Sequence, residues 1–476
     1  MRNKLVYKYI GKVLIGFAIL LLCPILIGLY YKESITPFLI PTSLSMILGI
    51  VLNNLKPKNQ NLYAKDGFSI VTVSWVLIGL IGCIPYIVGD NLSFFDAFFE
   101  TISGLTTTGA TIYEDVEHIS KGLLFWRSFT HFIGGMGVLA FVMAIVPLAK
   151  NDKSMHVLKA EMPGPTVSKI VPSIKKTLFI LYGIYIGLTI LEFAFLLIGG
   201  LTPFHAINIA LSTAGTGGFA ILNSSIASYS PFIQWTVTIF MFLFGINFNI
   251  YFLILMNDTK TALKSEELRV YILLYLFSVI FIVSNTYQMF DTLGEAIRQG
   301  AFHVSSLMTS TGFSIGDINI YPSSCRILCL CLMVISACAG STCGGFKISR
   351  LLICIKSIKR DILKAFHPNS IRTITFEGKK VEENTVKSTC TFLFLYIGII
   401  ILIMFLISFD GLSLDQSLNA AFTTFGNVGL CFDISTFANF SNYSKTVLSI
   451  GMLFGRLEII PIIIWIITLR KKSSFY

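Results

Sequence analysis

Long apolar runs separated by short polar segments fill almost the whole chain. A transmembrane helix needs about 20 mostly apolar residues, and ten stretches reach that length, near 10–30, 38–55, 68–88, 123–148, 177–199, 232–256, 270–290, 325–358, 389–409 and 446–468. The run at 325–358 is too long for one crossing and is interrupted near its middle. The pattern predicts an all-α polytopic membrane protein with ten transmembrane helices.

The distribution of charge predicts the orientation of these helices. Lys and Arg crowd the first residues and every second connection, whereas the alternate connections lean acidic. Because basic loops tend to stay in the cytoplasm, we expect both termini to be cytoplasmic, which requires an even number of crossings. With 54% hydrophobic and 13% charged residues and a mean hydropathy of +0.77, the chain differs from soluble domains, which carry about 25% charged residues. The net charge of +11 reflects membrane topology and does not indicate nucleic-acid binding.

Four acidic connections contain a short amphipathic or apolar stretch followed by a cluster of Ser, Thr and Gly. The short stretches lie at 94–105, 203–211, 293–308 and 412–422. Each suits a half-helix that enters the membrane and turns back. Aligning the clusters on glycine places Gly109, Gly215, Gly312 and Gly426 in register. We therefore predict four repeats of helix, half-helix, loop and helix around a central pore, at 67–176, 177–269, 270–388 and 389–476, after an N-terminal two-helix segment at 1–66.

The glycine clusters have the composition of an ion-conducting loop. Irregular backbone survives at membrane depth only where it is buried in protein or lines a water-filled cavity. Glycine lets backbone carbonyls turn toward an axis, and rings of carbonyls replace the hydration shell of an alkali cation. One such cluster would more often serve close helix packing, but four in register favour a selectivity filter. The candidate cation ligands are Thr107, Thr108, Gly109, Thr213, Ala214, Gly215, Ser310, Thr311, Gly312, Thr424, Phe425 and Gly426.

Four segments resemble the TrkH branch of the Trk/Ktr/HKT superfamily of potassium uptake proteins. They are TISGLTTTGAT at 101–111, GGMG at 134–137, AGSTCGGFK at 339–347 and FGRLE at 454–458. The resemblance covers nearly the whole chain and implies that each repeat supplies one filter strand, with glycine favouring potassium as the transported ion. It also implies a multi-pass protein of the bacterial inner membrane, surrounded by lipid, that forms a homodimer. A separate cytosolic nucleotide-binding subunit of the TrkA type is the implied regulator.

The interruption near residue 340 predicts a flexible loop within the membrane. Small residues there cannot hold a regular helix well, and Lys347 and Arg456 place charges in apolar surroundings, where each costs at least about 2.5 kcal/mol unless it finds a partner or water. Lys347 could instead snorkel to the inner interface, and Arg456 could pair with Glu458 or Glu192. The resemblance implies an intramembrane gate beneath the filter. The candidate gate residues are Gly340, Ser341, Thr342, Gly344, Gly345, Lys347 and Arg456.

Other functions receive less support from the sequence. The Gly340–Lys347 segment is similar to a phosphate-binding loop, but Phe346 separates Gly345 from Lys347 and breaks the GxxxxGK[ST] pattern. His131 is expected to be a hydrogen-bonded packing residue. No Ser/His/Asp arrangement or HExxH motif suggests an enzyme, and no organic cofactor is expected. The alternative to a gated channel-like protein is a symporter that couples potassium to protons or sodium, a class that usually has inverted repeats, whereas these repeats run in one direction.

Overall fold

The computed structural model describes residues 3–56, 64–145, 174–370, 372–459, 462–465 and 467, and almost all of its regular structure is helical. Within these residues, six helices are long and apolar enough to cross a membrane, or seven if one bent pair counts as a span. The predicted runs at 123–148 and 446–468 extend partly outside the described residues.

The first helices pack onto the chain that follows them. α1 (Asn3–Leu20) and α2 (Leu22–Tyr30) form one apolar span, followed by α3 (Thr36–Asn53), α4 (Ala64–Gly82) and α5 (Ile84–Gly89). Phe17 of α1 and Phe38 of α3 both contact the fully buried Trp126 ring. The N-terminal helices thus support the region in which the first glycine cluster lies.

Each of the four short stretches predicted as a half-helix is helical: α6 (Phe94–Leu105), α9 (Pro203–Gly215), α14 (Leu293–Met308) and α18 (Leu414–Phe425). A hydroxyl residue caps the start of each one by accepting a hydrogen bond from a backbone N–H three residues later. The caps are Ser93, Thr202, Thr292 and Ser413. These caps fix the first residue of each helix, and the length of the helix then determines where its glycine cluster begins.

The remaining helices flank the half-helices. In chain order they are α7 (Lys121–Ile145), α8 (Ile174–Ile198), α10 (Pro231–Phe244), α11 (Phe248–Leu255), α12 (Thr259–Leu263), α13 (Glu266–Thr286), α15 (Ser323–Val334), α16 (Ile348–Phe366), α17 (Glu383–Ile407) and α19 (Asn442–Leu457). A two-stranded hairpin, β1 (Thr375–Phe376) and β2 (Lys379–Lys380), connects α16 to α17. Single-turn 3₁₀ helices lie at Tyr287–Met289, Ile318–Ile320 and Ser408–Asp410.

Two predicted runs are broken in the structure. The run at 325–358 forms α15 and α16, and residues 335–347 between them are not helical, as the sequence predicts. The run at 232–256 was expected to be a single helix, and this is wrong, because α10 and α11 meet at an angle of 89°. Asn247 caps α11 by accepting a hydrogen bond from the N–H of Asn249, and the N–H of Phe248 donates to the carbonyl of Gly340. A contact distant in sequence thus stabilises the bend.

Polar and apolar side chains are distributed as expected for a protein in lipid. Large apolar side chains such as Leu26, Ile198 and Phe394 are exposed on the outside. Threonines at the ends of the half-helices, including Thr107 and Thr311, are fully buried. Polar groups are therefore concentrated at the centre of the protein, around the four glycine clusters.

Candidate functional site

The four loops that follow the half-helices share one backbone conformation. In each loop a residue with positive φ is followed, two positions later, by a glycine with positive φ. The pairs are Thr107 and Gly109, Thr216 and Gly218, Ser310 and Gly312, and Asn427 and Gly429, with φ between 52° and 54° for the first member and between 76° and 84° for the glycine. This shared pattern identifies the structurally equivalent positions.

The four glycines form a closed ring. A Cβ atom on Gly109 would lie 1.9 Å from the carbonyl oxygen of Gly217, so the first loop contacts the second. A Cβ atom on Gly218 would lie 2.0 Å from the carbonyl oxygen of Thr311. The corresponding distance is 2.0 Å from Gly312 to the carbonyl oxygen of Val428, and 2.1 Å from Gly429 to that of Thr108. Each loop thus touches the next, and the fourth returns to the first. Glycine is needed at each position for two reasons, the positive φ and the neighbouring carbonyl.

The loops are anchored to their own half-helices. In each loop the residue before the ring glycine donates its N–H to a carbonyl five residues earlier, in the half-helix. These hydrogen bonds are Thr108 to Ser103 (2.8 Å), Gly217 to Ser212 (3.0 Å), Thr311 to Ser306 (2.8 Å) and Val428 to Thr423 (2.9 Å). The carbonyls of these four donor residues accept no hydrogen bond from any described residue. The ring therefore combines fixed N–H groups with carbonyl oxygens that remain able to bind a cation.

The predicted alignment differs from this shared backbone pattern at Gly215 and Gly426, whereas Gly109 and Gly312 have the positive φ of the ring. Gly215 is the last residue of α9, and a Cβ there would lie 2.3 Å from the carbonyl of His131. Gly426 has an ordinary helical φ of −73° at the end of α18. The equivalent glycine in both loops, Gly218 or Gly429, comes three residues later.

The corrected register also moves the neighbouring candidates. Thr213, Ala214, Thr424 and Phe425 lie within half-helices, where the hydroxyls of both threonines donate to backbone carbonyls four residues earlier. Thr107, Thr108, Ser310 and Thr311 keep their predicted places beside the ring glycines. The residues missed by the sequence alignment are Thr216, Gly217, Gly218, Asn427, Val428 and Gly429.

A signal for the correct register is present in the sequence. Ser93, Thr202 and Ser413 each lie 16 positions before the ring glycine of their loop. In the third loop this distance is 20 positions, because α14 is about one turn longer. Counting from the helix caps, rather than aligning the glycines, would have selected Gly218 and Gly429.

The broken segment at residues 335–347 lies against the ring. The N–H of Gly344 donates to the hydroxyl of Ser310 at 2.8 Å, and a Cβ on Gly344 would lie 2.8 Å from Cβ of Asn427. The segment therefore contacts the third and fourth loops at the residue two positions before each ring glycine. Gly340 and Gly345 have positive φ, which gives the segment the turns that return it to α16.

Two cations hold the carbonyls of this segment. Arg456 donates from Nη1 to the carbonyl of Thr342 at 2.7 Å and from Nη2 to that of Gly134 at 2.9 Å. Lys347 donates from Nζ to the carbonyls of Cys343 and Gly344. Hydrogen bonds from charged donors are among the stronger ones in proteins. Because Thr342, Cys343 and Gly344 lie outside any helix, each cation satisfies segment carbonyls that no helix satisfies.

The alternatives considered for these two cations are not found in the structure. Glu458 forms its ion pair with Arg350, at 2.8 Å, instead of Arg456. The two carboxylate oxygens of the buried Glu192 accept no hydrogen bond from Arg456. Lys347 is bound to the segment and does not snorkel to the interface.

Glu267 is a candidate residue that the sequence analysis missed. Its side chain is buried, and Oε1 accepts hydrogen bonds from the N–H of Ala339 at 2.7 Å and of Ser349 at 3.2 Å. One carboxylate thus joins the beginning of the broken segment to the start of α16. Its signal in the sequence is an acidic residue at the start of an apolar run, on the side of the protein predicted to be basic.

The loop that follows the first ring strand carries negative charge. Asp115 is exposed, and the side chain of Asn223 donates a hydrogen bond to it at 2.8 Å. This hydrogen bond is the main reason why the pKa of Asp115 is lowered below its ordinary value. The carboxylate therefore stays ionised and attracts cations to this face.

The candidate cation ligands of the site are carbonyl and hydroxyl oxygens, and not clusters of carboxylates. Among the described residues, no group of three or more His, Cys, Asp or Glu side chains is arranged to hold a metal ion. Backbone carbonyls and hydroxyls, which the ring provides, are ligands suited to a weakly bound alkali cation.

Comparisons with known proteins agree on one family. The family model TrkH, described as a cation transport protein, matches residues 37–475. The chain is 30% identical to the Trk system potassium uptake protein TrkH of Vibrio parahaemolyticus over 478 residues, and 31% identical to TrkG of Escherichia coli K12 over 461 residues, which cover 98% and 94% of each chain, respectively. The crystal structure of the potassium transporter TrkH from Vibrio parahaemolyticus superposes with a TM-score of 0.88, at 28% identity and with 98% of both chains covered.

Proposed function

The chain belongs to the TrkH family of cation transport proteins, and on that premise we propose that it carries potassium across the bacterial inner membrane. The observation that carries this proposal is the closed ring of four glycines, with carbonyls that accept no hydrogen bond from any described residue. Carbonyl rings of this kind replace the water shell of an alkali cation. The relatives named as potassium uptake proteins support potassium as the ion.

The proposed ion ligands follow the corrected register. They are the backbone oxygens of Thr107, Thr108 and Gly109, of Thr216, Gly217 and Gly218, of Ser310, Thr311 and Gly312, and of Asn427, Val428 and Gly429. In this proposal each of the four repeats of a ten-helix chain contributes one strand. The half-helices direct their partially negative C-terminal ends toward the ring and offset part of the free energy of dehydrating the ion.

Potassium entry in this proposal is driven by the membrane potential. An inside-negative potential contributes about 2.3 kcal/mol per elementary charge per 100 mV, which favours cation uptake without a coupled ion. Acidic side chains in the outer loops, such as Asp115, raise the local cation concentration before entry.

The segment Gly340–Gly345 serves as the gate in this proposal. Its contact with Ser310 and its bonds to Lys347 and Arg456 support a closed state in which the segment lies beside the ring. The proposed regulator is a cytosolic TrkA-type nucleotide-binding subunit, which acts on a homodimer from the basic side. The names of the Trk system relatives support further components of this kind.

A flux measurement tests the proposal. The purified full chain is reconstituted in liposomes, and the reversal potential is measured under potassium, sodium and proton gradients. A channel-like protein gives a potential set by the potassium gradient and unchanged by the proton gradient. Dependence on a proton gradient, or potassium flux that stops when sodium is removed, would instead support the symporter. Nucleotide added to the chain alone should leave the flux unchanged, because regulation is assigned to the partner.

A further inference from the structure

One face of α7 lies behind the first two loops of the ring. Arg127 and His131 are four residues apart, so their side chains share this face. Arg127 is 2% exposed and His131 is fully buried. Both side chains are thus buried between two loops that belong to different repeats.

Arg127 connects the two loops directly. Its Nε donates to Glu100 at 2.9 Å, and Nη2 donates to Thr111 Oγ1 at 3.1 Å, just after the first ring glycine. Its Nη1 donates to the carbonyl of Ala220 at 3.1 Å, two residues after the second ring glycine. One planar guanidinium therefore fixes the distance between the two strands as they leave the ring.

Glu100 strengthens the first half of this arrangement. Its two oxygens accept hydrogen bonds from the hydroxyl of Thr111 and the N–H of Ile112, each at 3.0 Å. Glu100 is fully buried, and its pair with Arg127 is the most deeply buried ion pair among the described residues. Because breaking such a pair leaves a charge without compensation, the arrangement resists deformation.

The Phe219 ring completes the contact on the second loop. Phe219 follows Gly218, and the centroid of its ring lies 4.2 Å from Cζ of Arg127. The same centroid lies 4.3 Å from that of the His131 ring, and the planes of the Phe219 and His131 rings are nearly parallel, at 18°. Nδ1 of His131 lies 2.9 Å from the hydroxyl of Ser212. A Cβ on Gly217 would lie only 2.3 Å from the His131 ring, so the imidazole sits directly against the second strand.

We infer that Arg127, His131 and Phe219 form an inter-repeat clasp that sets the spacing of the first two filter strands and thereby the preference for potassium over sodium. This inference rests on the proposed function. The two ions differ in size, so selection by a carbonyl ring depends on ligand position and stiffness. Closely packed interiors transmit small displacements, and the clasp packs against the strand that contains Gly217.

The third loop lacks the clasp and offers a matched control. Phe313 follows Gly312 as Phe219 follows Gly218, and it is fully buried. Its ring makes no stacking or cation contact with an Arg or His among the described residues, and it lies in an apolar cluster with Phe302. The second and third loops are joined instead by Ser314, whose carbonyl accepts from the N–H of Ile226 at 3.0 Å and whose N–H donates to the hydroxyl of Ser225 at 3.2 Å.

The test compares the same substitution in the two loops. Phe219→Leu, Phe313→Leu and Phe219→Tyr are introduced into the full chain, and the potassium-to-sodium permeability ratio is taken from reversal potentials in liposomes. Loss of the stacked ring in Phe219→Leu should lower the ratio roughly fivefold. Phe313→Leu should change the permeability ratio less than about twofold. Phe219→Tyr keeps an aromatic ring in the clasp and should therefore have the parent ratio.

The outcomes separate this inference from the proposed function. A parent chain that carries no potassium refutes the proposed function. A conducting parent with the same ratio in Phe219→Leu, or an equal fall in both leucine variants, overturns the clasp alone. If Phe219→Leu fails to reach the membrane, His131→Gln decides, because it keeps a polar group near Ser212 and loses only the stacked ring. Its ratio should fall at least about twofold, and an inserted His131→Gln with the parent ratio overturns the clasp.

Discussion

The ring loops and the broken segment lie side by side but are held in different ways. Each ring loop is anchored by an N–H that donates to a carbonyl five residues earlier in its own half-helix. The broken segment depends on side chains, of which Lys347 is local and two are far away in sequence, since Arg456 reaches Thr342 across 114 positions and Glu267 reaches Ala339 across 72.

This difference separates two properties of the protein. A loop fixed by its own helix keeps its backbone shape as long as the helix forms, and side chains such as Arg127 set only its spacing from the next loop. A segment fixed by a few distant side chains can be released by losing one of them. The contrast favours a permanent selectivity element next to an element that switches.

The largest expected effect is on the ring. Serine at Gly218 would place Cβ 2.0 Å from the carbonyl of Thr311, at a backbone φ of 76°. Because neither the backbone nor the neighbouring strand accommodates it, the potassium-to-sodium permeability ratio should fall at least about tenfold. Reversal potentials in liposomes measure the change.

Gly200→Ser is the matched control for this variant. Gly200 also has a positive φ, of 88°, but a Cβ there would meet nothing within 4 Å. Gly200→Ser should introduce the same local backbone strain as Gly218→Ser and leave the potassium-to-sodium permeability ratio unchanged. A similar fall in both variants would mean that strain, and not the ring contact, is being measured.

An intermediate effect is expected on the broken segment. Arg456→Ala leaves the carbonyl of Thr342, which lies outside any helix, without its donor, and a buried unpaired group costs about 1–3 kcal/mol. The held state should lose stability, and potassium tracer flux without a partner protein should rise roughly tenfold. Deletion of Gly340–Gly345 should raise it at least as much.

Arg350→Ala tests whether any buried arginine nearby has this effect. Arg350 is also buried, but its side chain pairs with Glu458 and not with the carbonyls of the segment. Flux in this variant should stay near that of the parent. If Arg456→Ala inserts normally and its flux is equal to or below the parent value, the segment is a packing site and not a gate.

The smallest effect is expected at the other end of the segment. Glu267→Gln keeps an oxygen acceptor for the N–H groups of Ala339 and Ser349 but removes the charge that strengthens both bonds. Flux without a partner should rise roughly threefold. Glu266→Gln removes a partly exposed ion pair with Lys356, and ion pairs in contact with water contribute little. Equal flux in the two variants would argue against Glu267 as an anchor.

Local sequence patterns were sufficient to predict the half-helices. Hydroxyl caps such as Ser93 and Ser413, followed by about three turns of apolar residues, place α6 and α18 close to their observed bounds. The register of the loops was not determined in the same way. The second cluster contains Gly215, Gly217 and Gly218, so matching one glycine left three choices, which the end of the half-helix decides.

Long-range contacts could not be predicted from the pattern. The apolar run at 232–256 shows nothing stronger than Gly245 and Asn247 as a helix breaker, yet the chain turns by 89° there. Glu267 likewise resembles an ordinary first-turn acid of α13. In both cases the deciding partner lies in the segment between α15 and α16, at Gly340 or Ala339.

The two broken helices have a consequence for exchanging parts between relatives. The N–H of Phe248 donates to the carbonyl of Gly340, and the N–H of Cys338 donates to that of Gly245, so the corner between α10 and α11 and the segment after α15 complete one another's backbone bonding. A chimaera that takes only one of them from another protein would mismatch both ends of this pairing. The corner and the segment must therefore be exchanged together, and a change in the length of one requires a compensating change in the length of the other.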